Sequence, residues 1–168
     1  NLIGGPTLYN YFKPKVDDNF VVVSPDIGSV SRARKVAARM DAKMAIIDKR
    51  RPKANVMEVM NIIGDVEGKN CLMVDEMIDT AGTIVQGAKA LKEAGAKEIY
   101  ACCSHGVLSG PAIDRLAASP ITELAILDTI NIPQEKMLPS FRIISTAPIF
   151  ASAIENVYLD RPMSKIYD

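Results

Sequence analysis

The segment from Leu72 to Ile84, LMVDEMIDTAGTI, combines residue types that can bind a ligand. Its apolar start predicts a buried strand that ends at Asp75 and Glu76, and a short turn then leads into a predicted helix. Open parallel sheets bind their ligands at the carboxyl ends of strands, where the acids and the turn are expected to lie. The segment therefore predicts a binding site at the end of a strand.

The turn of this segment is suited to a phosphate group. Four consecutive residues offer backbone N–H groups and two hydroxyls at the start of the helix, namely Thr80, Ala81, Gly82 and Thr83. Gly82 would let a ligand approach the backbone closely. A helix cap at Asp79 or Thr80 is a structural explanation of the same residues, and it is compatible with the binding role.

The two acids before the turn add a second element to this pattern. Asp75 and Glu76 are hydrogen-bond acceptors at a distance where the hydroxyls of a bound phosphosugar would lie. They can also hold Mg²⁺ through water molecules. Capping of a helix does not require these acids, so we expect a phosphosugar site that comprises both acids, Asp79 and the four turn residues.

A basic stretch from Asp48 to Asn55 contains four Lys or Arg residues together with Pro52. Proline lacks a backbone donor, so we expect this stretch to be neither a central strand nor the interior of a helix. A charge run of this kind is most often a solvated turn. By itself the run gives no reason to prefer a catalytic role.

Apolar runs alternate with segments of helical period, which predicts an α/β fold with a mostly parallel central sheet and helices on both faces. We expect one domain over residues 1–168 with roughly five or six strands. The predicted strands are Phe20 to Ser24, Met44 to Ile47, Cys71 to Val74, Glu98 to Cys103, Glu123 to Leu127 and Arg142 to Ser145. The predicted helices are Val30 to Met40, Thr80 to Ala94, Ala112 to Ala118 and Ala147 to Tyr158.

The charge balance narrows the classes of partner. The 20 basic and 20 acidic residues cancel, so no overall field attracts the chain to nucleic acid or anionic lipid. No apolar run approaches the roughly 20 residues that span a bilayer, and the start of the chain lacks a signal-peptide pattern. We therefore expect a soluble cytoplasmic protein. Because the sequence opens at Asn1 without Met, we expect a processed product or a piece of something longer.

The cysteines and the single histidine give weaker signals. Cys71, Cys102 and Cys103 lie inside apolar runs, at spacings that match no zinc or redox motif, so we expect reduced thiols in the core. His105 cannot form a metal cluster alone, and a role near the site stays open.

The whole pattern resembles a known family. The segment from Leu72 to Ile84 resembles the fingerprint of the type I phosphoribosyltransferase fold, which binds ribose 5-phosphate or phosphoribosyl pyrophosphate; only Glu76, where an Asp is usual, departs from it. Three further segments resemble ribose-phosphate diphosphokinases. They are Val22 to Arg34, VVSPDIGSVSRAR; Ile46 to Gly68, IIDKRRPKANVMEVMNIIGDVEG; and Ser104 to Pro111, SHGVLSGP.

The resemblance implies a reaction and roles for particular residues. In this family Mg²⁺ assists transfer of diphosphate from ATP to the anomeric hydroxyl of ribose 5-phosphate, which gives phosphoribosyl pyrophosphate and AMP. Asp26 matches a position that helps to organise Mg²⁺. Lys49 and Arg51 match cations of a mobile loop that folds over the ATP phosphates, and such cations stabilise the transferring group.

The resemblance covers nearly the whole chain but only the second half of the family's usual length. The first half of the family supplies a catalytic histidine and most of the adenine pocket. We therefore expect this chain to bind ribose 5-phosphate and to make little product alone, with homo-oligomers forming in the full-length enzyme.

Two alternatives remain open. A phosphoribosyltransferase acting on a base would share the phosphosugar site, although no segment suggests a hood for the base. A catalytically silent regulatory subunit is the other alternative. Glu76 and Ser29, where the family has a second glycine, would be departures in that direction.

Overall fold

The computed structural model describes residues 2–50 and 59–167, with no side-chain detail at 49, 50, 59, 165 and 167. Its strands are β1 (Phe20–Ser24), β2 (Lys43–Arg50), β3 (Val59–Ile63), β4 (Asn70–Ile78), β5 (Glu98–Gly106), β6 (Glu123–Leu127) and β7 (Phe141–Ile144). Its α-helices are α1 (Gly5–Phe12), α2 (Val30–Met40), α3 (Gly82–Glu93), α4 (Ala112–Ala117) and α5 (Ala147–Tyr158). Short 3₁₀ turns span Lys13–Lys15, Gln134–Lys136 and Met163–Tyr167.

The described strands form one seven-stranded sheet in the order β3-β2-β1-β4-β5-β6-β7. All neighbouring pairs are parallel except β2 and β3, which are antiparallel. From β1 the sheet continues through β2 and β3 on one side, and from β4 it continues through β5, β6 and β7 on the other. The switch point therefore lies between β1 and β4, and ligands of doubly wound sheets bind at such a point. The predicted α/β class and mostly parallel sheet are confirmed.

Each face of the sheet carries its own apolar core, because the central strands are buried on both sides. Side chains of α1 and α2 pack on one face, with Phe12 and Val36 fully buried there. Side chains of α3 and α4 pack on the other face, with Leu91 fully buried. The prediction of helices on both faces is confirmed.

Strand β2 extends beyond its neighbour β1. Its pairing with β1 stops at Ile46, which lies opposite Ser24. Its pairing with β3 runs from Ile46 to Arg50, where β3 begins at Val59. The last residues of β2 and their partners thus form a two-stranded arm at the carboxyl edge of the sheet.

Most predicted elements match the structure, and β1, α2, β6 and α5 match residue for residue. Asp48 to Arg50 of the basic stretch lie in β2, where they pair with β3 alone and not with β1, and the rest of the stretch lies outside the described residues. Two elements were not predicted, α1 and β3.

The cysteines are free and buried, as predicted. Burial raises the pKa of the Cys71 thiol to about 12, so this thiol is protonated at neutral pH. Among the described residues, no helix combines the length and apolar character that crossing a bilayer requires.

Candidate functional site

A cavity of about 210 Å³ lies at the connection between β4 and α3. It is lined by Asp75 and by the continuous stretch from Met77 to Ile84, so five of the predicted site residues surround it together with Asp75. Glu76 does not line this cavity. The structure therefore brings the predicted acid and the predicted turn to one depression at the carboxyl edge of the sheet.

The backbone turns sharply at the start of α3. Ala81 adopts a left-handed conformation with φ of 59°, and α3 begins at the next residue, Gly82. A Cβ atom added at Gly82 would lie 3.5 Å from the Arg115 guanidinium, an ordinary contact. The left-handed position of this turn is thus occupied by Ala81 and not by the glycine.

The first amide groups of α3 are available to a ligand. No side chain caps the helix, and within the described residues no backbone carbonyl accepts a hydrogen bond from the amides of Gly82 or Thr83. Unpaired amides at a helix N-terminus and the helix dipole both favour an anion. The predicted capping role of Asp79 or Thr80 is wrong, since neither side chain bonds to these amides.

Two neighbouring segments fix the turn in place. The Ser109 hydroxyl donates a hydrogen bond to the Asp79 carboxylate, and the Ser109 amide donates to the Asp79 carbonyl at 3.1 Å. The Arg115 guanidinium donates to the Thr80 carbonyl at 2.9 Å. Asp79 thus stabilises the turn against the β5–α4 connection. Sequence analysis missed Ser109 and Arg115, whose proximity depends on strand order.

Arg32 on α2 contacts both acids at the end of β4. Its guanidinium lies 2.8 Å from the Glu76 carboxylate and 3.5 Å from the Asp75 carboxylate. Sequence analysis missed this contact, although Arg32 lies within one of the family-like segments. The acceptors that are expected to bind sugar hydroxyls are therefore already in contact with a cation.

The carboxyl of Asp75 has a raised pKa, chiefly because burial disfavours its charged form. Hydrogen bonds from backbone amides and the Arg32 charge oppose this shift, while the nearby Asp26 charge adds to it. Asp75 and Asp26 thus lie close enough to repel each other. A cation bound between them would relieve that repulsion.

Asp26 lies after the end of β1, beside β4. Its carboxylate accepts a hydrogen bond of 2.7 Å from the Ser29 amide at the start of α2. The described residues contain no group of three or more His, Cys, Asp or Glu side chains that could enclose a metal. Mg²⁺, however, usually binds to one or two carboxylates and keeps several waters. Asp26 and Asp75 fit that mode of binding.

A second cavity, of about 600 Å³, adjoins the first and shares Asp75 with it. Its polar side includes Arg32, Glu76 and His105, and its apolar side includes Leu8 and Phe150. The His105 ring lies 2.8 Å from the Thr129 hydroxyl, which places the histidine at the wall of this cavity. Two adjoining cavities that meet at one acid can hold two parts of a substrate assembly.

The two predicted catalytic cations cannot be placed at the site. Lys49 pairs through its backbone with Met60 in the arm formed by β2 and β3, and its side chain lies outside the described atoms. Arg51 lies outside the described residues. Their roles therefore stay predictions.

Comparisons with known proteins identify the family. The model of the phosphoribosyl synthetase-associated domain matches residues 49–168. The chain is 58% identical over 168 residues to a ribose-phosphate pyrophosphokinase of Caldanaerobacter subterraneus, and 56% identical over 170 residues to one of Clostridium perfringens. The chain belongs to the ribose-phosphate pyrophosphokinase family. It spans about half the length of these relatives, since the match covers 99% of the chain and 53% of each relative.

Solved structures agree with this assignment. A phosphoribosylpyrophosphate synthetase from Mycobacterium smegmatis superimposes with a TM-score of 0.84 at 36% identity, covering 94% of this chain and 51% of that one. A purine phosphoribosyltransferase from Pyrococcus horikoshii superimposes with a TM-score of 0.52 at 18% identity, covering 85% of this chain and 80% of that one, a likeness that shows the fold alone. The pyrophosphokinase family and the type I phosphoribosyltransferase fold predicted from the motifs are confirmed.

Proposed function

We propose that the cavity at the start of α3 binds ribose 5-phosphate, within an enzyme that transfers diphosphate from ATP to the sugar. The observation that carries this proposal is the unpaired amides of Gly82 and Thr83 lying in one cavity with Asp75. A phosphate dianion suits the amides, and the sugar's hydroxyls suit the acid. Thr80, Ala81 and Thr83 hold the phosphate, and the turn keeps its shape through Asp79.

In this proposal the two acids of β4 bind the sugar's hydroxyls after the Arg32 guanidinium has moved away from them. Arg32 contacts Glu76 and Asp75 in the free chain, so the sugar exchanges one set of hydrogen bonds for another. That exchange favours ligands with neighbouring hydroxyls, because a ligand without them would leave the half-buried Asp75 poorly paired. Binding energy at the phosphate then holds the sugar's anomeric oxygen near the second cavity.

The reaction proposed is attack of the anomeric hydroxyl on the β-phosphorus of ATP. A bond forms between the anomeric oxygen and the β-phosphorus, the bond from the β-phosphorus to the α-β bridging oxygen breaks, and AMP leaves with that oxygen. The hydroxyl proton passes to a water molecule as the new bond forms. Two adjoining cavities that meet at Asp75 support this scheme, since it needs two substrates side by side.

Asp26 and Asp75 are the residues that we propose to hold Mg²⁺, which would neutralise charge on the transferring oxygens. Burial raises the pKa of Asp75, and the nearby charge of Asp26 adds to that shift, which supports a cation shared by the two carboxylates. Asp26 is oriented by the Ser29 amide at 2.7 Å. This hydrogen bond fixes one carboxylate oxygen and leaves the other available to a cation.

The end of β2 and the basic segment that follows it are proposed to supply Lys49 and Arg51, respectively, to the transferring group. Support comes from the arm formed by β2 and β3, which extends from the carboxyl edge, the same edge at which the cavity lies. Closure of cations over phosphates would stabilise developing charge and exclude water. We further propose that this chain binds the sugar but makes little product alone, because it spans about half of its relatives.

Isothermal titration calorimetry with ribose 5-phosphate tests the site. An Asp79→Ala variant loses the contact with Ser109 that shapes the turn, so we expect a clear loss of affinity. Equal heats for the variant and the wild type would remove the site assignment.

A second experiment tests the reaction. The chain is joined to the half of the Caldanaerobacter relative that it does not match, and AMP release is followed with ATP, Mg²⁺ and ribose 5-phosphate. Turnover supports the pyrophosphokinase proposal. Retained sugar binding without turnover would support a silent regulatory subunit, and pyrophosphate-dependent base exchange without AMP release would support a phosphoribosyltransferase.

A further inference from the structure

The cavity at the start of α3 carries an unfavourable charge for the ligand proposed above. Its lining includes the carboxylates of Asp75 and Asp79 and, within the described residues, no Lys or Arg. A phosphate monoester at neutral pH brings close to two further negative charges. The helix N-terminus offsets only the equivalent of roughly half a charge. A cation beside the cavity would therefore add to the affinity for a phosphate dianion.

Arg115 on α4 lies directly beside the turn. Its guanidinium donates a hydrogen bond to the Thr80 carbonyl at 2.9 Å, and its Nη1 atom lies 3.5 Å from the position that a Cβ atom at Gly82 would occupy. The guanidinium thus lies close to the backbone whose amide is proposed to meet the phosphate. Ala112 and Leu116 are buried and anchor α4 on the core, which holds Arg115 at this place.

The charge of Arg115 is not used by a carboxylate. Within the described part of the chain, Arg115 forms no ion pair, whereas Arg32 on the other side of the sheet pairs with Glu76 at 2.8 Å. The bond to the Thr80 carbonyl uses one of the five N–H donors of the guanidinium. Arginine binds phosphate through such donors and keeps its charge at every accessible pH. An exposed, unneutralised guanidinium beside this turn therefore suits an anion.

We propose that Arg115 supplies the cation for the ligand's phosphate and makes the site prefer a dianion over a monoanion or an uncharged sugar. The inference rests on the proposed function, because it assumes that a phosphosugar binds at this turn. Arg115 then has two effects. Its bond to Thr80 positions the turn, and its charge attracts the phosphate. Only the second effect depends on the charge of the ligand, so an experiment can separate them.

Titration calorimetry with ribose 5-phosphate compares the wild type with Arg115→Gln and Arg115→Lys. Gln retains an N–H donor and removes the charge, whereas Lys retains the charge and removes the planar guanidinium. Arg142→Gln is the matched control, because Arg142 is also exposed and donates to backbone carbonyls, those of Pro139 and Phe141. Each affinity is measured at about pH 7.5 and about pH 5, on either side of the phosphate's second pKa of about 6.

We expect Arg115→Gln to bind the dianion about tenfold more weakly than the wild type and the monoanion only about threefold more weakly, because the Coulomb energy scales with the ligand's charge. Arg115→Lys should stay within about threefold of the wild type at both pH values, and Arg142→Gln should match the wild type. Equal losses in Arg115→Gln at the two pH values would leave Arg115 only the positioning of the turn and overturn the proposal. Equal losses in Arg115→Gln and Arg115→Lys would overturn it as well.

Failure of this inference differs from failure of the proposed function. A wild type that does not bind ribose 5-phosphate would overturn both. Binding by the wild type with the same affinity in Arg115→Gln would overturn the inference alone.

A second measurement covers the case in which Arg115→Gln does not melt cooperatively. The Nε–H signal of Arg115 in the NMR spectrum is assigned by its loss in Arg115→Lys and is then followed in the wild type. We expect ribose 5-phosphate to shift this signal and ribose at the same concentration to leave it in place. An equal response to the two sugars would overturn the proposal.

Discussion

Replacement of Thr83 by Val removes one hydroxyl from the turn that we propose to bind phosphate, and it keeps the shape of the side chain. Thr83 is exposed, lines the cavity of about 210 Å³ and follows the first residue of α3. A hydrogen bond to a charged group contributes about 1.5–3 kcal/mol. Because water can replace part of this contact at an exposed position, we expect about 1.5 kcal/mol, which is a loss of about tenfold in affinity for ribose 5-phosphate.

The folded state should be little affected by this change. A substitution at an exposed position of the first helical turn usually alters the free energy of unfolding by less than about 0.5 kcal/mol. Thr122→Val is a matched control with the same chemical change at the amino end of β6, where the hydroxyl donates to Glu98 at 2.6 Å. It lies at the opposite edge of the sheet, so its affinity should equal that of the wild type.

Titration calorimetry at constant ionic strength measures the three affinities, since salt screens the phosphate interaction. Thermal melting of each variant shows whether the fold is retained. Wild-type affinity in Thr83→Val, to within about twofold, would refute the argument that this turn grips the phosphate. Equal losses in Thr83→Val and Thr122→Val would refute it as well.

Three further changes test the energetics of the fold. Burial raises the pKa of the Asp75 carboxyl above its ordinary value of 3.8, so the free energy of unfolding of the wild type falls as pH rises from 3.8 through the raised pKa. Asp75→Asn should lack this fall when urea unfolding is measured at successive pH values. Parallel pH profiles for the two proteins would contradict the prediction. Hydrogen bonds from Thr146 lower the pKa of the Asp128 carboxyl. Asp128→Ala should therefore reduce the free energy of unfolding by less than about 1 kcal/mol at pH 7 and leave it unchanged in strong acid, and thermal melting at both pH values measures this difference. Leu91→Ala should lose about 2–5 kcal/mol in urea unfolding because Leu91 is fully buried, whereas Leu159→Ala, at an exposed position, should lose far less; similar losses would count against the core assignment.

The elements that were predicted from the sequence are those whose apolar residues form a recognisable pattern within the element itself. Strand β1 is buried along its whole length, so its continuous apolar run has clear limits. Helix α1 was missed because only Leu8 and Phe12 are buried on it, which is too short a stripe to recognise. Strand β3 was missed because it lies at the sheet edge and begins four residues after a basic stretch that indicated a turn.

The close placement of Asp75 and the turn was predicted because the residues are neighbours in the sequence. Asp75 and the turn lie within one short segment, and the structure brings them to one cavity. The contact of Arg32 with Asp75 joins residues 43 positions apart, and it exists because β1 and β4 are neighbours in the sheet. The apolar periodicity of a segment does not show which strands are neighbours in the sheet, so contacts of this kind can be found only from the structure.

The arm of β2 and β3 has a buried base and an exposed end. Beyond Ile46, four residues of β2 pair with β3 alone, which corresponds to roughly 14 Å of strand. Ile47 at the base of the arm is fully buried, whereas Asn61, which pairs with Asp48 beyond that base, is exposed. A polar substitution at Asn61 should therefore leave the melting temperature nearly unchanged. The arm thus has a fixed base and an end that tolerates substitution.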